Sequence, residues 1–357
     1  MNGPRAFGPS GAARLKGDAR KSLRTDPWLA VVEFIQQADR ILLICHVSPD
    51  GDAIGSLLGL GMGLCALGKQ TTLACESSVP SKFNFLPNSD SIINAIDTDA
   101  FDLVIGLDSS DVARLGSIYD ADRLAGIPLV NMDHHVTNLR FGDVNLVDTQ
   151  AASTAEVVLA LLDRLGISLQ GDGAAIATCL LTGIVTDTLG FRTSNVTPQV
   201  MRAAMRLMEA GASLSEVTHY AFHQRPLAEL YMLACGLNRM QVEDGLAWSE
   251  IKLSDRCVAH QNSGYGGGKI GDADLVSVLV HTREIHIAAV FTERENGQVE
   301  TSFRADPGFD VAQLALALGG GGHPAASGCT LEGTLEAVKA RVLPMLRTAL
   351  QTQLEGA

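Results

Sequence analysis

Several strand-length runs in this chain are apolar at successive positions rather than at every second one. They are ILLICH in 41–46, DLVIGLD in 102–108 and PLVNMD in 128–133, with a shorter TTLAC at 71–75. Side chains along a strand alternate between two faces, so a continuously apolar run needs cover on both. Helix-length segments separate these runs. One is 53–67 and another is 152–165, with Ser153 and Thr154 near its start and Gly166 at its stop. Two more are 173–187 and 198–210, the last with Pro198 in its first turn and Gly211 at its stop. The alternation predicts an α/β fold, a parallel sheet with helices on both sides. After Gly245 the pattern changes to strands at 246–253, 285–292 and 298–304, the last two joined by ERENG, whose Asn-Gly is a hairpin signal. A helix at 311–318, four glycines before His323 and a helix at 335–351 complete a smaller α/β module with a mixed sheet. The expected organisation is a disordered tail (1–27), a larger parallel-sheet domain (28–212), a helical connector (213–238) and a second domain (239–352), within a length that allows each a core.

Lys plus Arg number 27 against 40 Asp plus Glu, a formal charge of −13. A protein that coats long nucleic acid by counterion release carries the opposite sign, so that class is excluded. A small anionic substrate held by local cations and metal ions is not. No run reaches the roughly 18 uncharged apolar residues of a membrane helix. The nearest, 53–68, carries five glycines. The N-terminal stretch lacks the apolar segment of a secretory signal. Seven cysteines form no CxxC pair, and Cys45, Cys65, Cys75 and Cys179 in apolar runs read as buried hydrophobes, which fits a reducing cytoplasm.

The acids and histidines that matter fall just beyond the ends of the predicted strands, where open parallel sheets bind ligands. They are His46, Asp50 and Asp52; Asp108 and Asp111; and Asp133, His134 and His135. Asp187 follows an apolar helix. Taken singly, each reads equally well as a turn or cap residue. Together they place at least four carboxylates and two imidazoles at one sheet edge. Such crowding costs several kcal/mol unless a cation compensates, and these motifs hold too few Lys or Arg to do so. Divalent metal is the economical answer. Oxygen and imidazole donors without thiolate suit Mn²⁺ or another octahedral ion better than a structural zinc. The donors suffice for two ions about 3.5–4 Å apart, a clamp for the attacking and leaving oxygens of phosphoester hydrolysis. A bridging hydroxide would attack, since metal lowers the pKa of water.

The segments HVSPDGDAIGS (46–56), LDSSD (107–111), DHH (133–135) and GIVTDT (183–188), in this order, resemble the DHH phosphoesterase superfamily. GGGGHPAASG (319–328), preceded by SFR (302–304), resembles the DHH-associated substrate domain, and the likeness covers about residues 30–350. Within the superfamily the chain is most similar to the bifunctional oligoribonucleases that also dephosphorylate 3′-phosphoadenosine 5′-phosphate (PAP), the nano-RNases. The resemblance implies a metal site in a cleft between two domains. It implies one ion on His46, Asp50 and Asp108 and another on Asp52, Asp108, His134 and Asp187, with Asp108 bridging. Mn²⁺ is expected before Mg²⁺ or Co²⁺. His135 would contact the scissile phosphate and assist as an acid. Asp133 would orient a metal-bound imidazole, and Asp111 would be structural.

Arg114 and Arg192 flank the metal motifs and could bind phosphate through their planar forks, or form surface salt bridges. Arg304 matches the family's substrate arginine. Ala305 stands where the family often has Ser, which removes one hydrogen bond. The glycine run, with Gly320, Gly321 and Gly322, would let backbone N–H groups approach an anion, and His323 would meet the 5′-phosphate or base end of the substrate. The second glycine-rich stretch, 264–272, reads as a plain loop, and His219, His223, His260, His281 and His286 read as surface residues.

The implied activity is hydrolysis of short oligoribonucleotides to nucleoside 5′-monophosphates, and of PAP to AMP. The alternatives are a phosphodiesterase for cyclic or linear dinucleotides, a RecJ-type single-strand exonuclease, an inorganic pyrophosphatase and a non-catalytic nucleotide sensor. The exonuclease lacks its basic or oligonucleotide-binding domain here, the pyrophosphatase lacks the Gly-Gly-Gly-His element, and a sensor would have lost ligands. Expected partners are short RNA and PAP, with a homodimer through the connector helices open, and no membrane.

Overall fold

The structure is a computed structural model that describes residues 26–97, 100–169, 173–224, 226–263 and 274–355. The chain divides into two compact units, one ending at Gln224 and the other following it.

In the first unit β1 (Arg40–Cys45), β2 (Gln70–Ala74), β3 (Leu103–Leu107), β4 (Leu129–Asp133) and β5 (Val144–Val147) form an all-parallel sheet in the order β2-β1-β3-β4-β5. β3 and β4 are buried at every position, as the apolar runs require. Ile41, Leu43 and Cys45 enter one core, and Leu42 and Ile44 the other. The first core holds buried side chains of α1 (Pro27–Gln37), α2 (Gly51–Ala66), α3 (Thr154–Arg164), α4 (Ala174–Asp187) and α5 (Pro198–Glu209). Among the described residues the opposite face is not covered by α-helices as expected. A 3-10 stretch (Val112–Ile118) supplies Leu115 and Ile118, and loops supply Phe101 and Leu124. The β3–β4 connection turns at Gly116 and Gly126, both at positive φ.

Helix α1 begins where the tail was expected to end. Asp26 accepts from Trp28 N, Pro27 occupies the first turn, and Ala30, Val31 and Ile35 are buried. The crossing of α2 and α4 depends on glycine. A Cβ on Gly55 would lie 2.3 Å from the Cys179 carbonyl oxygen, and one on Gly183 2.5 Å from Asp52 Oδ1. With Gly51 and Gly59 also facing α4, the start of α2 meets the end of α4, and so Asp52 meets Asp187.

The second unit is a six-stranded sheet in the order β10-β11-β9-β8-β7-β6, from β6 (Gln241–Glu243), β7 (Leu246–Ile251), β8 (Ile287–Glu293), β9 (Gln298–Ala305), β10 (Gly321–His323) and β11 (Ala326–Glu332). Only the β7–β8 pair is parallel, so the sheet is mixed. One face packs against α7 (Leu227–Asn238), α8 (Leu253–Ser263) and α9 (Leu275–Val280). The other packs against α10 (Ala312–Ala317) and α11 (Leu335–Glu355). The β8–β9 hairpin closes through Arg294 N to Gln298 O, with Gly297 left-handed. The stretch expected as a connector lies in both units: α6 (Leu214–Thr218) and a π-helical turn (His219–His223) in the first, α7 in the second. The glycine-rich stretch at 264–272 and the tail up to residue 25 lie outside the described residues.

Cys45, Cys75 and Cys179 are buried, but Cys65 is exposed, because it sits on the solvent side of the last turn of α2. Among the described residues no helix is long and apolar enough to cross a membrane.

Candidate metal centre

The carboxyl edge of the first sheet gathers His46, Asp50, Asp52, Asp108, His134, His135 and Asp187. Three groups of ligand atoms lie within 4.8 Å of one another: His46 with Asp50 and Asp108; Asp52 with His134 and Asp187; and Asp108 with Asp133, His134 and His135. Asp108 Oδ2 is 3.4 Å from His46 Nε2, and Asp108 Oδ1 is 3.8 Å from His134 Nε2 and 3.7 Å from His135 Nδ1. The Asp108 carboxylate therefore lies between His46 on one side and His134 and His135 on the other.

Each side chain is aimed by a local partner. His46 Nδ1 donates to the Val47 carbonyl at 2.8 Å, which leaves Nε2 as the ligating nitrogen. Asp50 caps α2 by accepting from Asp52 N and Ala53 N. The fully buried Asp52 lies at the N-terminus of α3, where Thr154 N (2.6 Å) and Ala155 N (2.9 Å) donate to its carboxylate. Thr154 Oγ1 donates to Asp108 Oδ1 at 2.9 Å. Asp108 has φ +55°, a left-handed conformation that sets its carboxylate across the sheet edge. His134 Nε2 lies 3.1 Å from Asp187 Oδ2 and 4.0 Å from Asp52 Oδ2, yet the approach is not aligned as a hydrogen bond, and this buried nitrogen makes none. An orphaned imidazole nitrogen ringed by three carboxylates fits a central cation.

The charges answer to the same crowding. Burial, then the Asp108 and Asp187 charges, pushes Asp52 well above the usual carboxylate range, and burial also raises Asp187. Burial would lower His134, but Asp187, Asp52 and Asp108 outweigh it and push it up to about 10. Burial opposes the charge of His46 too, and Asp108 prevails and raises it. Asp108 is held below its ordinary value, since the three imidazoles outweigh its burial. A metal-free cluster therefore holds protons where cations could sit, and loading a divalent ion must expel them. Apparent metal affinity should rise about tenfold for each proton released per pH unit between pH 7 and 9. Calorimetry in two buffers of different ionisation enthalpy measures that release, and a pH-independent affinity would contradict it.

Asp133 is engaged by its own loop. Its Oδ1 accepts from His134 N (2.8 Å) and from His135 Nδ1 (2.7 Å), and its Oδ2 from Asn138 Nδ2 (2.5 Å). The imidazole it orients is His135, which groups with Asp108 and His134. The same bond raises the pKa of His135 and leaves its Nε2 outward. Sequence reasoning missed Asn138 and Thr154 as supports, because nothing in local spacing links them to Asp133 or Asp108. Asp111 is a cap, accepting from Ala113 N at 2.9 Å.

The arginines separate. Among the described residues no hydrogen bond or ion pair engages the Arg114 guanidinium, and its charge reaches His46. Arg192 is folded back, its Nε donating to the Leu189 carbonyl at 2.6 Å. Arg304 and His323 lie in the second unit, where both pair with Ala326 in the β9–β11–β10 register. Directly paired residues share a face, so the Arg304 and His323 side chains flank the small Ala326, next to a row of Ser302, Gly328 and Gly321. The glycine run is a paired strand rather than a loose loop. A Cβ on Gly320 would lie 2.1 Å from the Gly328 carbonyl oxygen, and one on Gly322 2.5 Å from the Ala326 carbonyl oxygen, whereas Gly321 has open space.

An open parallel sheet with carboxylates and imidazoles clustered at its carboxyl edge is the layout of a metal-dependent hydrolase. Comparison with known proteins makes this specific. The chain matches the DHH family, N-terminal domain, over residues 40–184 and the DHHA1 domain over 257–352. It is 34% identical over 316 residues to the bifunctional oligoribonuclease and PAP phosphatase NrnA of Thermus thermophilus, across 87% of this chain and 90% of that one. It is 28% identical over 327 residues to the protein of the same name from Bacillus subtilis, across 89% and 97%. This chain belongs to the DHH phosphoesterase family. An exopolyphosphatase-related protein from Bacteroides fragilis shares the fold, with a TM-score of 0.79 at 24% identity over 91% of this chain and 96% of that one.

Proposed function

We propose that this chain hydrolyses short oligoribonucleotides to nucleoside 5′-monophosphates and PAP to AMP. The observation that carries the chemistry is Asp108, which groups with His46 and Asp50 through one oxygen and approaches His134 of the other group with the other. The substrate class follows from the likeness to NrnA, which runs through both units.

In this reading His46, Asp50 and Asp108 hold one ion, and Asp52, Asp108, His134 and Asp187 hold the other. Divalent ions, Mn²⁺ foremost, supply charge neutralisation on the phosphate and a lowered pKa for bound water. The protein does the rest. Asp52 and Asp108 are fixed by the N-terminus of α3, so the centre costs little reorganisation when substrate arrives. His135, whose protonated form Asp133 favours, would in that form transfer its Nε2 proton to the leaving 3′-oxygen, while Nδ1 stays on Asp133. Arg114 pairs with phosphate, and so does Arg192 through the two nitrogens its tether leaves free. Arg304 and His323 hold the terminal nucleotide over the flat Ala326, Gly321 and Gly328 surface, where Gly320 and Gly322 let the β10–β11 hairpin close.

A Mn²⁺-dependent time course on pGpG, PAP and an unstructured RNA some tens of nucleotides long tests this. Rapid turnover of the first two with slow attack on the third is expected. Fast digestion of the long RNA would move the reading to a processive exonuclease, and turnover of pyrophosphate alone would overturn it.

A further inference from the structure

The roles above leave one surface at the metal edge unexplained. Val136 is 79% exposed and Leu139 69%, more than any other large apolar side chain among the described residues, and Leu189 is 50% exposed. Isolated exposed leucines are ordinary, but these three share an address. Val136 is two residues past His134 and Leu189 two past Asp187, and His134 and Asp187 approach to 3.1 Å. Two residues span at most about 7 Å, so both side chains stand on the rim of the same cluster.

Both loops are rigidly built. Asn138 donates to Asp133 Oδ2 and to the Ser109 carbonyl, its Oδ1 accepts from Asn131 Nδ2 and Arg140 N, and Leu139 N donates to the Ser110 carbonyl at 2.8 Å. The other loop places Leu189, Gly190 and Phe191 successively in the left-handed region, at φ +47°, +72° and +65°. That is disfavoured for Leu and Phe. Gly190 N to the Val185 carbonyl (2.8 Å) and Phe191 N to Thr188 Oγ1 (3.1 Å) hold the turn. Fixed loops that present apolar side chains to solvent are preorganised for a ligand, because the entropy of ordering them is already lost.

We propose that Val136 and Leu189, with Leu139 beside them, seat the base of the nucleotide on the 3′ side of the scissile phosphate. The proposal rests on the phosphoesterase reading above and extends it. The roles assigned above name no group for the base on the 3′ side of the phosphate. A flat, weakly hydrated ring fits an aliphatic rim. Aliphatic contact with a ring face reads no base edge, so the seat accepts any base.

PAP has no nucleoside beyond its 3′-phosphate, which makes it an internal reference. In the Val136→Ser/Leu189→Asn double variant, with Asn chosen because it tolerates the left-handed backbone, the ratio of kcat/KM for pApA to that for PAP should fall roughly tenfold. The loss should lie in KM and be similar for pApA, pCpC and pGpG. Leu139→Ser alone should lower the ratio about twofold, and as a substitution at an exposed position it keeps the test open if the double variant folds poorly. An unchanged ratio in both variants overturns the seat. So does a loss confined to one base, which would mean edge recognition. Equal loss on pApA and PAP with reduced metal content would mean damage to the centre, and a fall in solution mass from dimer to monomer would mean that the rim joins two chains; either excludes the seat. Failure of the wild-type protein on both substrates instead overturns the underlying function, a result no variant can mimic.

Discussion

Asp108→Ala is expected to lower kcat at least about a thousandfold on both PAP and dinucleotides. The reason is its position between three imidazoles, with one oxygen turned to each side and Thr154 holding it in place. In the proposed reading its removal takes a donor from both ions at once, so bound metal should fall with activity. Steady-state kinetics with elemental analysis of the purified variant measures both. Asp111→Ala, three residues away, removes only a cap at the 3-10 stretch and should retain turnover while losing about 1 kcal/mol of stability. Comparable losses in the two variants would mean that the strand end, not Asp108, is the sensitive element.

Gly55→Ala is expected to damage a site it does not touch. Its Cβ would meet two backbone atoms, Cys179 O at 2.3 Å and Gly183 N at 3.0 Å, and neither can rotate away. Helices α2 and α4 must part. The overpacking cost outweighs the helix propensity that Ala gains over Gly, leaving a net loss of about 2–3 kcal/mol. For a unit of this size that lowers Tm by roughly 5–10 °C. Asp52 rides on the first turn of α2 and Asp187 on the last residue of α4, so their spacing changes and activity should fall more than tenfold. Scanning calorimetry and PAP turnover check this. Gly68→Ala is the comparison, since it has open space and costs only the strain of φ +78°, about 1–2 kcal/mol. An unchanged Tm in Gly55→Ala would show that the helix crossing is looser than its contacts imply.

The parallel sheet was legible because both-sided burial leaves a mark in β1, β3 and β4 that no half-exposed strand can carry. The four-residue β5 is fully buried only at Leu146, and it left no such mark. The ligand residues were legible for a related reason: acids directly after apolar runs are placed by the strands themselves. Asp187 was the harder case, since it reaches the cluster only through the glycine-lined crossing of α2 and α4. What the sequence concealed were pairings across the fold. The bond from Asp133 to His135, the hold of Thr154 on Asp108 and the role of Asn138 join residues whose spacing suggests nothing. The second core of the first unit was also hidden, because a 3-10 stretch and loops rather than helices cover it. The glycine run was read for its freedom, whereas Gly320 and Gly322 are needed for close packing against β11.

The central claim is that this sheet edge is a two-ion centre built around a shared Asp108. Its most direct test is to strip the protein with chelator, titrate Mn²⁺, and follow bound metal and PAP turnover together. Two ions per chain are predicted, with turnover absent after stripping and restored as the second ion binds. Full activity in the stripped protein, or restoration at a single ion per chain, would contradict it.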